Sequence, residues 1–175
     1  LQPMVDAMAR LGSPFQGVLY AGLMVMHGTP YVLEFNARMG DPETQVVLPL
    51  LKNDLVDVLE AVIEHRLDQL PVEWHPDATV CVVMASGGYP GTYQQGIPLS
   101  GLPTATTLSD SSMVFHAGTV QRGKEIVTAG GRVLGVLGRG RTLLEAQGEA
   151  YRVVKTISFE GCHFRTDIAH RALKT

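Results

Sequence analysis

The sequence predicts an α+β chain in two parts, and three observations carry that reading. Two apolar runs separated by turn chemistry, residues 17–26 and 31–37, form a hairpin pattern that is followed by helical periodicity. Beyond the linker-like stretch 71–78 the chain changes to short strand runs broken by glycine turns. A final helical pattern, opened by Thr142-Leu143-Leu144-Glu145, closes the second part. The expected division is therefore residues 1–75 and residues 76–175, the latter a β-rich domain with a late helix.

Each element has its own signal. Residues 4–11 read as a helix already under way, and the chain starts at Leu1 without an initiator Met; a fragment of a longer protein is expected. In the hairpin, His27-Gly28-Thr29-Pro30 supplies the turn, because Gly tolerates positive φ and Pro cannot donate to a ladder. Residues 43–51 read as a short helix with Pro49 near its end. Asn53 or Asp54 caps the next helix, whose apolar face is Leu55, Val58, Leu59, Val62 and Ile63. His65 and Arg66 fall where the negative helix end favours positive charge. In the second part, 79–85 reads as a buried strand running into the turn 86–91, and 94–112 as loop. Strands are expected at 113–120, 125–128 and 132–137, with Gly123 and Gly130-Gly131 as breaks. The last helix carries Leu143, Ala146, Ala150, Val153 and Ile157 at helical spacing, with Gly161 beyond its end.

Composition narrows the function classes. Of 175 residues, 45% are hydrophobic and 18% charged, and the net charge is −3 with no Lys/Arg run, which argues against nucleic-acid binding. No apolar run approaches the roughly 18 residues of a membrane span, and no leader pattern opens the chain; a cytoplasmic protein is expected. The two cysteines, Cys81 and Cys162, form no C-x-x-C pair and read as reduced thiols, with a single disulfide as the alternative.

The chemistry concentrates in residues 34–45, EFNARMGDPETQ, which hold three acids, an Arg, an Asn and a Gln. Glu34, Asn36 and Arg38 are spaced by two, so a strand would point them to one face. A carboxylate and an amide oxygen on one face are hard ligands of the kind Mg²⁺ takes while keeping waters and substrate phosphates. Arg38 could grip phosphate oxygens through two donors. The ordinary alternative is a solvated edge strand. Asp41 and Glu43 read equally as an N-cap and a first-turn acid.

The stretch 34–51, EFNARMGDPETQVVLPLL, closely resembles the signature of the glycinamide ribonucleotide synthetases, which are ATP-grasp ligases. GVLYAGLM at 17–24, VCVVMASGGYPG at 80–91, FHAGT at 115–119, GGRVLGV at 130–136 and FEGCHFRTDIAHRAL at 159–173 resemble the same family in the same order. The resemblance implies the C-terminal part of an ATP-grasp domain over 1–75, followed by a small β-rich domain. It implies ligation of glycine to 5-phosphoribosylamine with ATP and Mg²⁺ (Mn²⁺ as an alternative), through a glycyl phosphate, in purine biosynthesis. Glu34 and Asn36 match the family's metal ligands; Arg38 would bind ATP's phosphates and stabilise the transferring phosphoryl group, and Asp41 and Glu43 would act in catalysis by orienting glycine or the amine. The family's adenine contacts lie upstream, so this piece is expected to be inactive alone and to need that N-terminal part.

Other motifs have plainer readings. The turn 86–91 could cradle a phosphate but lacks the Lys-Ser/Thr of a P-loop and reads as a tight turn. Gly130-Gly131-Arg132 reads as a hairpin turn, with Arg132 reaching a ribose phosphate as the sharper alternative. His116 reads as a core or partly buried histidine, His163 and His170 as surface residues, and Cys162-His163 lacks partners for zinc. Two other functions stay open at this point: an ATP-grasp ligase or carboxylase with another acceptor, and a non-enzymatic fragment or one chain of a split enzyme.

Overall fold

The computed structural model describes residues 1–103 and 109–174; of the stretch read as loop, 104–108 lie outside the described residues. The element order is α1 (Gln2–Arg10), β1 (Tyr20–Met26), β2 (Thr29–Asn36), α2 (Glu43–Val47), α3 (Leu55–Ile63), β3 (Ala78–Ala85), β4 (Ser112–His116), β5 (Thr119–Arg122), β6 (Glu125–Thr128), β7 (Arg132–Gly140) and α4 (Leu143–Val154). The chain forms two compact units, Leu1–Thr44 with Leu51–His75, and Gln45–Leu50 with Pro76–Thr175. Within the second unit, Thr79 Oγ1 donates to Val46 O at 2.8 Å, tying the short 45–50 run to β3.

In the first unit β1 and β2 pair antiparallel, with a bulge between Gly22 and Leu23. The turn is the two residues His27 and Gly28, both at positive φ (51° and 79°). That is the geometry whose twist matches two right-handed strands. Thr29 and Pro30, expected in the turn, instead open β2, and Pro30 pairs with Val25. The hairpin is apolar yet exposed: Leu23, Met24, Val25, Met26, Val32 and Leu33 all keep large accessible surface. The helix read over 43–51 ends at Val47 and continues as a 3-10 turn through Leu50. Asp54 caps α3 by accepting from Val56 N at 2.8 Å. Asn53 serves otherwise: Nδ2 donates to Pro71 O (3.0 Å) and Oδ1 accepts from Glu73 N (2.7 Å). On α3, Leu55, Val58 and Val62 are half-buried as expected, but Leu59 and Ile63 are exposed, and Ala61 is fully buried in their stead.

The second unit holds the core. Strand order is β3-β7-β4, all antiparallel, with a separate β5–β6 pair. Val80, Val82 and Met84 recur at period two on β3 and pack with Val133, Leu134 and Val136 of β7 and Ala146, Ala150, Val153 and Val154 of α4. A fully buried Val or Leu of this kind contributes about 1.5–3 kcal/mol. Among the described residues, Ala61 is the one buried apolar side chain of the first unit, so nearly all of that stabilisation sits here. The contact is close because β7 carries Gly138 and Gly140 under α4. A Cβ on Gly138 would lie 2.2 Å from Ala146 O and 2.3 Å from Ala150 N.

Three sequence expectations are corrected. The run 113–120 is broken after His116, where Gly118 crosses from β4 to β5. A Cβ there would come 2.6 Å from Arg132 O and 2.7 Å from Gly130 Cα, and Gly118 N donates to Arg132 O at 2.8 Å. The 94–112 stretch, read as loop, carries two isolated bridges, Pro98 with Val127 and Ser100 with Ser158, and its last residue, Ser112, opens β4. In the α4 cap, Thr142 Oγ1 accepts from Glu145 N (3.2 Å), but Glu145 Oε2 reaches one residue further back than a capping box requires, to Arg141 N (2.8 Å). No disulfide joins Cys81 and Cys162. Among the described residues no helix is long and apolar enough to cross a membrane.

Two outcomes are expected. Gly138→Ala forces α4 off β7 and costs about 1–3 kcal/mol, read as a lower urea midpoint at unchanged slope. Glu149, on α4, has its carboxyl held at about 2 by its hydrogen bonds from Arg152 and from Ser109 and Ser112, against the opposing cost of burial. Its folded value lies below its ordinary one of 4.5, so its contribution is present above that value and is lost as pH falls toward about 2. Glu149→Gln should flatten the loss of stability across that window, measured by denaturant unfolding at stepped pH.

Candidate functional site

The site grows from the hairpin register. Tyr20 stands opposite Asn36 and Gly22 opposite Glu34, and opposed residues of an antiparallel pair share a face. One face thus carries Tyr20, Gly22, Glu34 and Asn36. Gly22 leaves room for the acid, since a Cβ there would sit 3.0 Å from Glu34 Cγ. Asn36 Nδ2 donates to Glu34 Oε1 at 3.1 Å. That bond occupies one carboxylate oxygen and one amide N–H, so Glu34 keeps its second carboxylate oxygen and Asn36 its one amide oxygen to offer a hard cation. The donor set fits Mg²⁺ or Mn²⁺ completed by phosphate oxygens and water. Among the described residues no cluster of three or more His, Cys, Asp or Glu could hold a metal by itself.

Arg38 is placed differently from the strand reading. β2 ends at Asn36, so strand alternation does not extend to Arg38. Its Nη1 donates to Met39 O at 2.9 Å, folding the guanidinium along its own loop. It remains near the cluster, because its charge is felt at the Tyr20 phenol. Asp41 is exposed just ahead of α2. Glu43, the first residue of α2, turns back to the hairpin, and Tyr20 OH donates to its Oε1 at 3.2 Å. Gly40, buried below, makes this possible: a Cβ there would meet Glu43 Oε2 at 2.3 Å and Tyr20 Cε2 at 3.1 Å. The structure therefore gathers Glu34, Asn36 and Glu43, with Arg38 in electrostatic range, around a residue the motif reading passed over. The signal for Tyr20 was a single hydroxyl in an apolar strand run, two residues from Gly22. The hydrogen bond to Glu43 and that carboxylate's charge hold the Tyr20 phenol above its ordinary value, with a smaller push from Glu34 and a pull down from Arg38.

The second unit's candidates are considered separately. Ser86 N donates to Gly131 O (2.8 Å) and Tyr89 N to Ser86 O (3.1 Å), while Ser86 Oγ donates to Gly130 O (2.9 Å). Ser86 thus spends both its donors on the 130–131 turn while Tyr89 N closes its own turn, and a Cβ on Gly131 would strike the Tyr89 ring at 2.0 Å. Both glycine segments serve to pack against each other. His116 is exposed, contrary to expectation, with Nδ1 3.0 Å from Thr119 Oγ1. His163 is exposed, whereas His170 is half-buried with Nδ1 2.7 Å from Asp167 O.

Comparison with known proteins gives the class first. Residues 1–44 match the profile "Phosphoribosylglycinamide synthetase, ATP-grasp (A) domain". The fold is also that of the biotin carboxylase subunit of pyruvate carboxylase, at TM-score 0.59 and 14% identity over 91% of this chain and 35% of that one. Residues 1–44 are thus ATP-grasp in kind. Residues 79–171 match the profile "Phosphoribosylglycinamide synthetase, C domain". The chain belongs to the phosphoribosylglycinamide synthetase family. It is similar to the phosphoribosylamine–glycine ligase of Synechocystis (50% identity over 99% of this chain and 41% of that protein) and to that of Caldanaerobacter subterraneus (48%, 97% and 40%). The crystal structure of phosphoribosylamine–glycine ligase from Thermotoga maritima matches at TM-score 0.78 and 35% identity, over 93% of this chain and 39% of that one. The trifunctional purine biosynthetic protein adenosine-3 of Gallus gallus shares 49% identity over 17% of its length. The chain spans about 40% of the length of the bacterial relatives.

Replacing Glu43 by Gln removes the charge that holds the Tyr20 proton. The phenol should then ionise at lower pH, closer to its ordinary value of 10.0, seen as a shift of one tyrosine in an ultraviolet difference titration against the parent.

Proposed function

We propose that this chain is the C-terminal part of an enzyme that ligates glycine to 5-phosphoribosylamine, consuming ATP and yielding glycinamide ribonucleotide, ADP and phosphate, in purine biosynthesis. The observation that carries the reading is the Glu34–Asn36 pair on one hairpin face, inside a segment with an ATP-grasp likeness and in a chain whose relatives bear the ligase name. Glu34 and Asn36 hold the Mg²⁺. The ion supplies neutralisation of phosphate charge, the main demand of phosphoryl transfer beyond positioning.

The chain's own side chains account for the rest of this reading. The Arg38 guanidinium leaves Met39 O to grip phosphoryl oxygens through two donors and so stabilises the group passing to glycine's carboxylate. Asp41 and Glu43 orient the amino groups of the substrates. A glycyl phosphate formed there is attacked at its acyl carbon by the amine of phosphoribosylamine, and a closed site protects it from water. The adenine pocket belongs to upstream polypeptide, so this piece alone is inactive and the whole enzyme works in the cytoplasm.

The test is ADP release from MgATP, glycine and fresh phosphoribosylamine, with this chain and with the full-length protein. Activity confined to the longer protein and dependent on both co-substrates is the expected result; folded protein without it would return the acceptor to question. In the full-length protein Glu34→Gln should lower kcat by about 10²-fold or more without unfolding, and saturating Mg²⁺ should not restore it. Arg38→Lys should also slow turnover, because a point charge cannot replace a two-donor fork; an unchanged rate would place Arg38 outside the chemistry.

A further inference from the structure

The Tyr20 phenol links the hairpin face to the start of α2. It stands on β1 opposite Asn36, in the same face as Glu34, and its hydroxyl donates at 3.2 Å to the carboxylate that opens α2. The carboxylate could reach that hydroxyl only over a residue without a side chain, and Gly40 is that residue, with 2.3 Å to Glu43 Oε2 and 3.1 Å to the Tyr20 ring from where a Cβ would be. A first-turn acid ordinarily faces its own helix N-terminus. Here Glu43, beside Gly40 just ahead of α2, also meets the hairpin through Tyr20, so its position is set in part by tertiary contact. A glutamate on a five-residue helix has several free rotors, and one hydrogen bond to a strand-borne phenol removes most of that freedom.

We infer that Tyr20 is a positioning residue: it holds Glu43 beside the Glu34–Asn36 pair so that the carboxylate receives the ammonium group of glycine. This rests on the proposed ligase function and deepens it by assigning one substrate to one side chain. The choice between substrates follows from charge. Glycine carries an ammonium at neutral pH, which a carboxylate attracts, whereas the amine of phosphoribosylamine must keep its lone pair to attack. Tyr20 makes no contact with reacting atoms in this assignment and acts through Glu43.

The experiment uses the full-length protein and measures KM for glycine, phosphoribosylamine and MgATP in the parent, Tyr20→Phe, Glu43→Gln and the double variant. Loss of a hydrogen bond to a charged group should raise the glycine KM about tenfold in Tyr20→Phe, with the MgATP KM within about twofold of the parent. Glu43→Gln should raise it at least as far. The double variant should be no worse than Glu43→Gln, because without the carboxylate the phenol has nothing to place. Gly40→Ala, which separates the two groups while leaving both present, should reproduce the glycine defect and keeps the test sound should Tyr20→Phe not fold. Additive losses in the double variant, a defect confined to phosphoribosylamine, or a normal glycine KM in both Tyr20→Phe and Gly40→Ala would overturn the role of Tyr20 while leaving the ligase reading intact. A folded parent without glycine-dependent ADP release would overturn the ligase reading, and the assignment to glycine with it.

Discussion

The approach of α4 to β7 governs the second unit. Two helix alanines, Ala146 and Ala150, lie over strand glycines, and the backbones come close enough that a methyl group at Gly138 would overlap the helix. That proximity lets Val80, Val82 and Met84 on one strand and Leu134 and Val136 on the next share one layer with Val153 and Val154. The segment after α4 is tied to the same helix. Tyr151 OH donates to Arg165 O (2.7 Å) and accepts from Ile168 N (3.1 Å), while Gln147 Nε2 donates to Ile168 O (2.6 Å). One close contact therefore sets the position of both the sheet and the tail.

The first unit is built on a different principle. It has little buried apolar surface, and its order comes from backbone register and a few polar bonds. A two-residue turn with both φ values positive sets which residues of β1 and β2 face each other. A slip of one residue would turn Glu34 and Asn36 to the opposite face. Glycines mark the places where polar groups must come close, at Gly22 beside Glu34 and at Gly40 beneath Glu43. The exposed apolar residues of the hairpin and of α3 belong to a chain that spans about 40% of its relatives' length.

Much of this was legible in the sequence because it depends on local chemistry. Periodicity located β3 and α4, Thr142 marked the helix start, and alternation placed Glu34 and Asn36 on one face. Residues 34–45 stand out by their density of polar and charged groups, and the family relationship rests on the two profile matches over residues 1–44 and 79–171. Readings that extended a pattern past its physical limit were the ones corrected. Alternation was carried to Arg38, two residues beyond the end of β2. The single strand expected over 113–120 breaks at Gly118, where the backbone meets that of residues 130–132. Leu59 and Ile63 belong to the apolar face of α3 by spacing yet are exposed, because burial needs a partner surface and not hydrophobicity alone.

By itself, then, the sequence determined the order of strands and helices, which residues alternate on a face, and that residues 34–45 are the stretch densest in polar and charged groups, since each follows from bonded geometry and side-chain type over a few neighbours. Tertiary structure alone decided that Glu43 meets Tyr20 and that the two glycine turns of the second unit pack on each other rather than stand open. Tyr20 and Glu43 are 23 residues apart. No local propensity encodes a hydrogen bond over that separation; it exists because hairpin register and a bare glycine bring the two groups to the same point.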